Sequence, residues 1–244
     1  MLNNILKIAH RGYSTSCKYT ENTLSACYNA VNKGFDMIEI DVQLCKSNDI
    51  IVYHDTYINH NQKYFKIENL TYQELKAIKH NVITLDDVIN NIDFTSNTNT
   101  NTNTNSNTQL YLDIKGNNNN IINPLLAKLE SSYENLNNII LCSFNKNHIN
   151  AINAYNSENN YTINHPKYIK KGFITENIFD IDDLNHLTQN IECLIFHWSM
   201  LDENTIKYCK THNIKVFCYT CKNKHILKEM LEYDIDGIVS DILI

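Results

Sequence analysis

Short apolar runs alternate along the chain with longer stretches in which apolar residues recur every three or four positions. The first run, residues 5–9, leads through a polar segment into LSACYNAVNKG, where Leu24, Cys27, Tyr28 and Val31 share one helical face. Asn22 or Thr23 is suited to cap that helix and Gly34 to end it. Further strands are predicted over 110–116, 139–143, 172–175, 191–196, 214–219 and 237–240. Helices are predicted over 121–133, 146–155, 182–189, 204–211 and 223–232, with Thr84 as the start of another that carries Leu85, Val88, Ile89 and Ile92 inward. With the run that follows Gly34 this makes eight strands alternating with helices. An α/β fold of the (β/α)8 barrel kind is expected, and the length of 244 residues suits it.

The second strand carries the most informative pattern. In GFDMIEIDVQLCKSNDIIVYHD, residues 34–55, Glu39 and Asp41 lie two apart inside an apolar run, so a strand sends both to one face. Paired acids are often a solvated face, but among Met37, Ile38, Ile40 and Val42 an unpartnered charge would cost several kcal/mol. The polar residues Lys46 to Asp49 suit a reversal, so a hairpin is expected to return over 50–54. Folded about Ser47 and Asn48, it would set His54 opposite Asp41.

Residues 55–83 read as an inserted excursion after this hairpin, with one helix over 71–79. Residues 95–108 are almost wholly Asn, Thr and Ser; they offer no apolar surface to offset ordering entropy, and a disordered loop is expected. The whole chain, 1–244, is read as a single barrel domain.

A net charge of -6 gives no basic footprint for nucleic acid. No apolar run approaches the ~18 residues that span a bilayer, and the opening residues lack the pattern of a signal peptide. The eight cysteines include no CxxC pair and several sit in apolar runs, so reduced thiols and a cytoplasmic setting are expected.

In a (β/α)8 barrel the chemistry gathers where the strands end at their C-termini. Those ends bring together His10 and Arg11, Glu39 and Asp41, His54 from the hairpin, and Asp113 with Lys115. Carboxylate oxygens without a cysteine suit a hard divalent cation such as Mg2+ or Ca2+. Arg11 and Lys115 suit a phosphate, and two histidines suit general acid and base work in displacement at phosphorus.

His10-Arg11-Gly12, Glu21-Asn22-Thr23, Gly34-x-Asp36-x-Ile38-Glu39-x-Asp41-Val42 and Val52-x-His54-Asp55 resemble the signature of the glycerophosphodiester phosphodiesterase family. The likeness continues through Asp113-x-Lys115 and Ser143-Phe144 to the segment 236–241. It implies a distorted eight-stranded barrel that cleaves small glycerophosphodiesters to glycerol 3-phosphate and an alcohol with a divalent cation. By position it implies His10 and His54 as the acid–base pair, Glu39, Asp41 and Asp113 as metal ligands, and Arg11 and Lys115 as phosphate binders. Which histidine is base and which acid stays open. Asp113 stands where many members have Glu, Thr20 where Pro is frequent, Cys45 where Thr is common, and Tyr219-Thr220-Cys221-Lys222 where Trp-Thr-x-Asn is usual. The Asp-x-Lys form is also similar to sphingomyelinase D and lysophospholipase D enzymes acting on lipids, though these lack the His-Arg-Gly opening. A catalytically silent barrel used for binding is the remaining alternative.

Overall fold

The computed structural model describes residues 5–14, 20–94 and 108–244. The chain runs β1 (Leu6–Ala9), α1 (Leu24–Asn32), β2 (Met37–Leu44), β3 (Ile50–Val52), β4 (Tyr57–His60), β5 (Lys63–Lys66), α2 (Tyr72–Ile78), β6 (Ile83–Thr84) and α3 (Leu85–Asn91). It continues through β7 (Gln109–Ile114), α4 (Ile122–Ser132), β8 (Ile139–Ser143), α5 (Lys146–Glu158), β9 (Lys170–Thr175) and α6 (Ile181–Leu187). The last elements are β10 (Cys193–His197), α7 (Glu203–Thr211), β11 (Lys215–Cys221), α8 (Lys224–Met230) and β12 (Gly237–Ser240).

Eight of these strands form a closed parallel barrel in the order β1, β12, β11, β10, β9, β8, β7, β2, with β1 pairing again to β2. All eight are the strands expected from the sequence. β2 is buried along its whole length, which explains its near-continuous apolar run. Side-chain caps fix the neighbouring helices: Thr23 accepts from the Ala26 amide at α1, while Thr84 and Asp87 cap each other's backbone at α3.

The inserted excursion has more order than the sequence suggests. β3 runs antiparallel to β2 and β6 antiparallel to β3, while β4 and β5 form a separate hairpin that sequence reasoning missed. Ile58, Ile67, Leu75 and Val82 anchor this region on Cys45 and Ile51 in a small core of their own. The register of the β2–β3 hairpin also corrects the expectation. Val42 faces Val52, so Asp41 lies opposite Tyr53 rather than His54. The turn closes from Cys45 to Asp49 with Asn48 at φ 63, and this odd-numbered loop moves the pairing by one residue. Residues 95–107, most of the tract expected to be disordered, lie outside the described residues.

Two large apolar layers join strands to helices, and a third fills the barrel interior with Ile8, Met37, Tyr111, Ile140, Ile195 and Phe217. The described cysteines, Cys27, Cys45, Cys142, Cys193, Cys209, Cys218 and Cys221, are all free and buried. Burial pushes the Cys27 and Cys209 thiols up to about 12. No helix among the described residues is long and apolar enough to cross a membrane.

The interior is close-packed around Gly172 on β9. A methyl group there would meet Ile195 Cδ1 at 2.6 Å and Cys142 Sγ at 2.7 Å. Gly172→Ala is expected to cost about 1–3 kcal/mol through overpacking. Urea unfolding measures this; an unchanged midpoint would mean that the interior yields more easily than these contacts indicate.

Candidate active site

The charged positions of β2 and β7 sit directly above the apolar filling of the barrel. Residues two apart on a strand share a face, so Met37, Glu39 and Asp41 point inward, as do Tyr111 and Asp113. The parallel register sets Asp41 beside Asp113 and Glu39 beside Tyr111. One carboxylate oxygen from each of Glu39, Asp41 and Asp113 lies within 4.8 Å of the others, and all three residues are buried.

Cations and amides surround this trio. Lys115 Nζ stands 2.5 Å from Asp113 Oδ2 and 3.0 Å from Asp41 Oδ1. Arg11 Nε lies 3.3 Å from Asp41 Oδ2, its Nη1 reaches Glu21 at 2.9 Å, and its backbone amide donates to Glu39 Oε2 at 2.7 Å. That amide points correctly because the chain turns sharply there, with Arg11 at φ 54 and Gly12 at φ 71. At Gly12 a Cβ would come within 2.8 Å of the Ala26 backbone, so glycine is required on two counts. Asn22, also left-handed at φ 56, donates to Asp41 Oδ2 at 2.7 Å and accepts from the Asp41 amide at 3.2 Å.

The electrostatics follow from burial and neighbours. Burial, reinforced by the charge of Asp41, pushes Glu39 up to about 8. Burial likewise lifts Asp113 to about 6, even against the adjoining Lys115. For Asp41 burial also pulls upward, but Lys115, Arg11 and His54 together hold it below its ordinary value. Burial disfavours the charged Lys115, yet the surrounding carboxylates outweigh it and strengthen its hold on the proton. Asp113 Oδ1 is buried with no hydrogen-bond partner. Three converging carboxylates, one with an oxygen left unsatisfied, fit a hard divalent cation that takes oxygen ligands.

Two histidines flank the trio. His10 Nδ1 lies 2.6 Å from Asp241 Oδ1, and His54 Nδ1 lies 2.7 Å from Asp55 Oδ1. A carboxylate at Nδ1 favours the proton there and leaves Nε2 as the working atom. Burial lowers the basicity of His10, but the Asp241 bond and the charge of Glu39 raise it beyond that loss. Gln43 holds His54 in place from below: its amide group donates to the carbonyls of Tyr53 at 2.7 Å, Asp55 at 3.0 Å and His54 at 3.2 Å. His54 therefore approaches Asp41 and Asp113 from a clamped turn rather than from a paired strand position.

All seven residues singled out in the sequence thus gather around one mouth. Sequence reasoning missed Gln43, gave Asn22 only a helix-capping role and assigned none to Asp55 or Asp241. On the far side of the mouth Phe144 lies under Lys115 Nζ at 5.6 Å, and Tyr219 packs edge-on against Phe144 and His197. The Tyr219 hydroxyl donates to Glu176 at 3.2 Å.

A sequence model described as the glycerophosphoryl diester phosphodiesterase family matches residues 10–243. The glycerophosphodiester phosphodiesterase of Caldanaerobacter subterraneus subsp. tengcongensis is 25% identical, with 97% of this chain and 93% of the relative aligned. Among solved structures, a glycerophosphodiester phosphodiesterase from Parabacteroides distasonis superposes with a TM-score of 0.77 at 20% identity, covering 98% of this chain and 94% of its own. A phosphodiesterase from Oleispira antarctica, solved with the product sn-glycerol-3-phosphate, gives 0.76 at 22% identity over 98% and 93%. At these identities the structures show a shared fold.

The raised Glu39 carries a prediction for stability. Its value moves from 4.5 to about 8 on folding, so between those limits the native chain binds more protons than the unfolded one. Stability then falls as pH rises through that window. His10 and Asp113 are also raised and act in the same direction, while the lowered Asp41 acts below it. Without divalent cation the Tm should drop between about pH 4.5 and about pH 8, and a divalent cation taken up by the three carboxylates should recover much of the loss by replacing the Glu39 proton. Thermal scans across pH check this, and a Tm indifferent to both would contradict it.

Proposed function

The chain belongs to the glycerophosphoryl diester phosphodiesterase family, and from that premise we propose that it hydrolyses glycerophosphodiesters to glycerol 3-phosphate and an alcohol. The supporting observation is the buried Glu39–Asp41–Asp113 trio flanked by two histidines whose Nδ1 atoms are each engaged by a carboxylate. We take the three acids as ligands of Mg2+ or Ca2+. Such a cation, when bound, supplies positive charge to the phosphoryl oxygens. With the acids occupied in this way, Lys115 and Arg11 can turn their charge to the phosphate.

Proton transfer falls to the histidines. His10 is more enclosed, with 18% of its side chain exposed, and Asp241 and Glu39 increase its basicity. We assign it the base: its Nε2 removes the proton from the attacking oxygen, supplied by water or by the adjacent hydroxyl of glycerol, as that oxygen bonds to phosphorus. His54, at 37% exposure, borders the open side. We assign it the acid: its Nε2 gives a proton to the alcohol oxygen as the bond from that oxygen to phosphorus breaks. Attack by the glycerol hydroxyl leaves a cyclic phosphate, which water then opens with the two roles exchanged. Gln43 and Asp55 position His54, and Asp241 positions His10. We take residues 1–244, the excursion and the Asn/Thr tract included, as one phosphodiesterase unit; the free buried thiols suit a reducing cytoplasm.

His10→Ala and His54→Ala should each lower kcat by roughly 10²-fold or more, the scale of a lost general acid or base. Because they serve one cycle, the double variant should lose less than the product of the singles. Chelator should abolish turnover of glycerophosphodiesters, Mg2+ or Ca2+ should restore it, and Asp41→Asn should be inactive yet folded. Full turnover in excess chelator would overturn the cation assignment.

A further inference from the structure

A cavity of about 750 Å³ opens beside the mouth, lined by His54 and Lys115 on the inner side and by Asp55, Tyr57 and Tyr64 on the outer. Because it shares His54 and Lys115 with the catalytic centre, a diester held at the phosphate site extends one of its two arms into this space. The opposite wall offers the polar pair Tyr219–Glu176, which suits the hydroxyls of glycerol. The cavity therefore receives the alcohol arm, in agreement with His54 as the group that protonates the departing alcohol.

The outer wall is built in a specific way. In the β4–β5 hairpin Asn59 faces Tyr64, and Tyr57 lies two residues from Asn59, so the two tyrosines share one face and lie diagonally across the strands. Ile58, on the other face, is anchored in the small core. Asn61 and Gln62, at φ 51 and 63, form the tight two-residue turn that matches the strand twist. The tyrosines are thus displayed on a pinned ribbon while remaining 52% and 73% exposed. On the face that the tyrosines share, Lys66 pairs with Glu68 at 2.6 Å, Lys115 stands between Asp41 and Asp113, and Lys63, next to Tyr64, belongs to the other face with Ile58 and Phe65. Asp55 adds a carboxylate, 67% exposed, at the same wall.

Two aromatic faces beside a carboxylate attract a cation whose own hydration is weak. We propose that the Tyr57–Tyr64 wall is a recognition site for an alcohol arm bearing a quaternary ammonium, so that choline-type glycerophosphodiesters are the preferred substrates. This rests on the phosphodiesterase reading above and goes beyond it by naming the alcohol. The choline arm can come from glycerophosphocholine or from the headgroup of a lysophosphatidylcholine; the wall reads the part common to both.

The test compares kcat/KM for glycerophosphocholine with that for its uncharged isostere, the 3,3-dimethylbutyl ester, which has the same shape without the charge. The choline ester should be preferred by about tenfold. Tyr64→Ala and Tyr57→Ala should remove most of that preference, lowering kcat/KM for the choline ester more than for the isostere, and Tyr64→Phe should retain it because the ring remains. Lysophosphatidylcholine, assayed below and above its micelle concentration, shows whether the lipid form reaches the same wall. Equal rates for the charged and uncharged esters, or a preference that survives both alanine variants, overturns the proposal. Binding of free choline, followed by saturation-transfer NMR on wild type and Tyr64→Ala, gives a readout independent of turnover. Choline bound through Tyr64 by a protein inactive on every diester would keep the subsite and overturn the phosphodiesterase reading; no such binding would overturn the subsite.

Discussion

Three carboxylates buried within 4.8 Å of one another form the constraint that the rest of the mouth answers. Their mutual repulsion and lost hydration would be prohibitive alone. The chain offsets this with Lys115 between two of the acids, Arg11 beside Asp41, and amide donors from Asn22 and from the Arg11 backbone. Each of these comes from a different place in the sequence, so the charge problem ties β1, the entry to α1, β2 and β7 to a common geometry. The residual strain is visible in Glu39, which keeps a proton to about 8, and in the unsatisfied Asp113 oxygen. A site left in this condition is prepared for positive charge from outside.

The barrel itself was legible because burial on both faces gives parallel strands their apolar runs and because helices between them keep a separate period. The acids were legible for a related reason: i, i+2 spacing fixes the side of a strand, and Glu39, Asp41, Asp113 and Lys115 all depend only on that. What failed depends on turns. Asn48 in a left-handed conformation converts a symmetrical reversal into an odd-numbered one, and nothing in the residue order alone distinguishes them. The β4–β5 hairpin was hidden for the same reason, since its turn, Asn61-Gln62, lacks the glycine that usually announces such a reversal. Gln43 looked like any position on a buried strand, although a polar residue continuing the inward series of Glu39 and Asp41 was a usable signal. Asn22 was assigned to the helix because a cap and a carboxylate partner call for the same short amide side chain.

The departures from the family pattern acquire a physical meaning once positions are known. Asp113 is one methylene shorter than Glu, but β7 pairs in register with β2 and sets it directly beside Asp41, so its carboxylate still joins the trio. Cys45 is buried at the hairpin turn, with its sulfur 3.3 Å from Ser47 Oγ, where it packs on Ile51 and Ile58 and helps seat the excursion. Tyr219 puts a ring with a hydroxyl where an indole is usual; the ring packs against Phe144 and His197 and the hydroxyl donates to Glu176. The far wall is thereby more polar at its tip than an indole would make it.

The buried cysteines give the barrel a built-in set of reporters on its own opening. Cys27 on α1 and Cys45 beside β3 belong to the N-terminal half, while Cys142, Cys193, Cys209, Cys218 and Cys221 are distributed over β8, β10, α7 and β11. Buried sulfur is inaccessible to an alkylating reagent, so each thiol reacts only when its own segment opens. A barrel closed by the single short seam between β1 and β2 can open there without disturbing β10 and β11, or it can open as one unit. The order in which the thiols become labelled would separate these two modes, so the sulfur atoms record how the fold comes apart without any engineered probe.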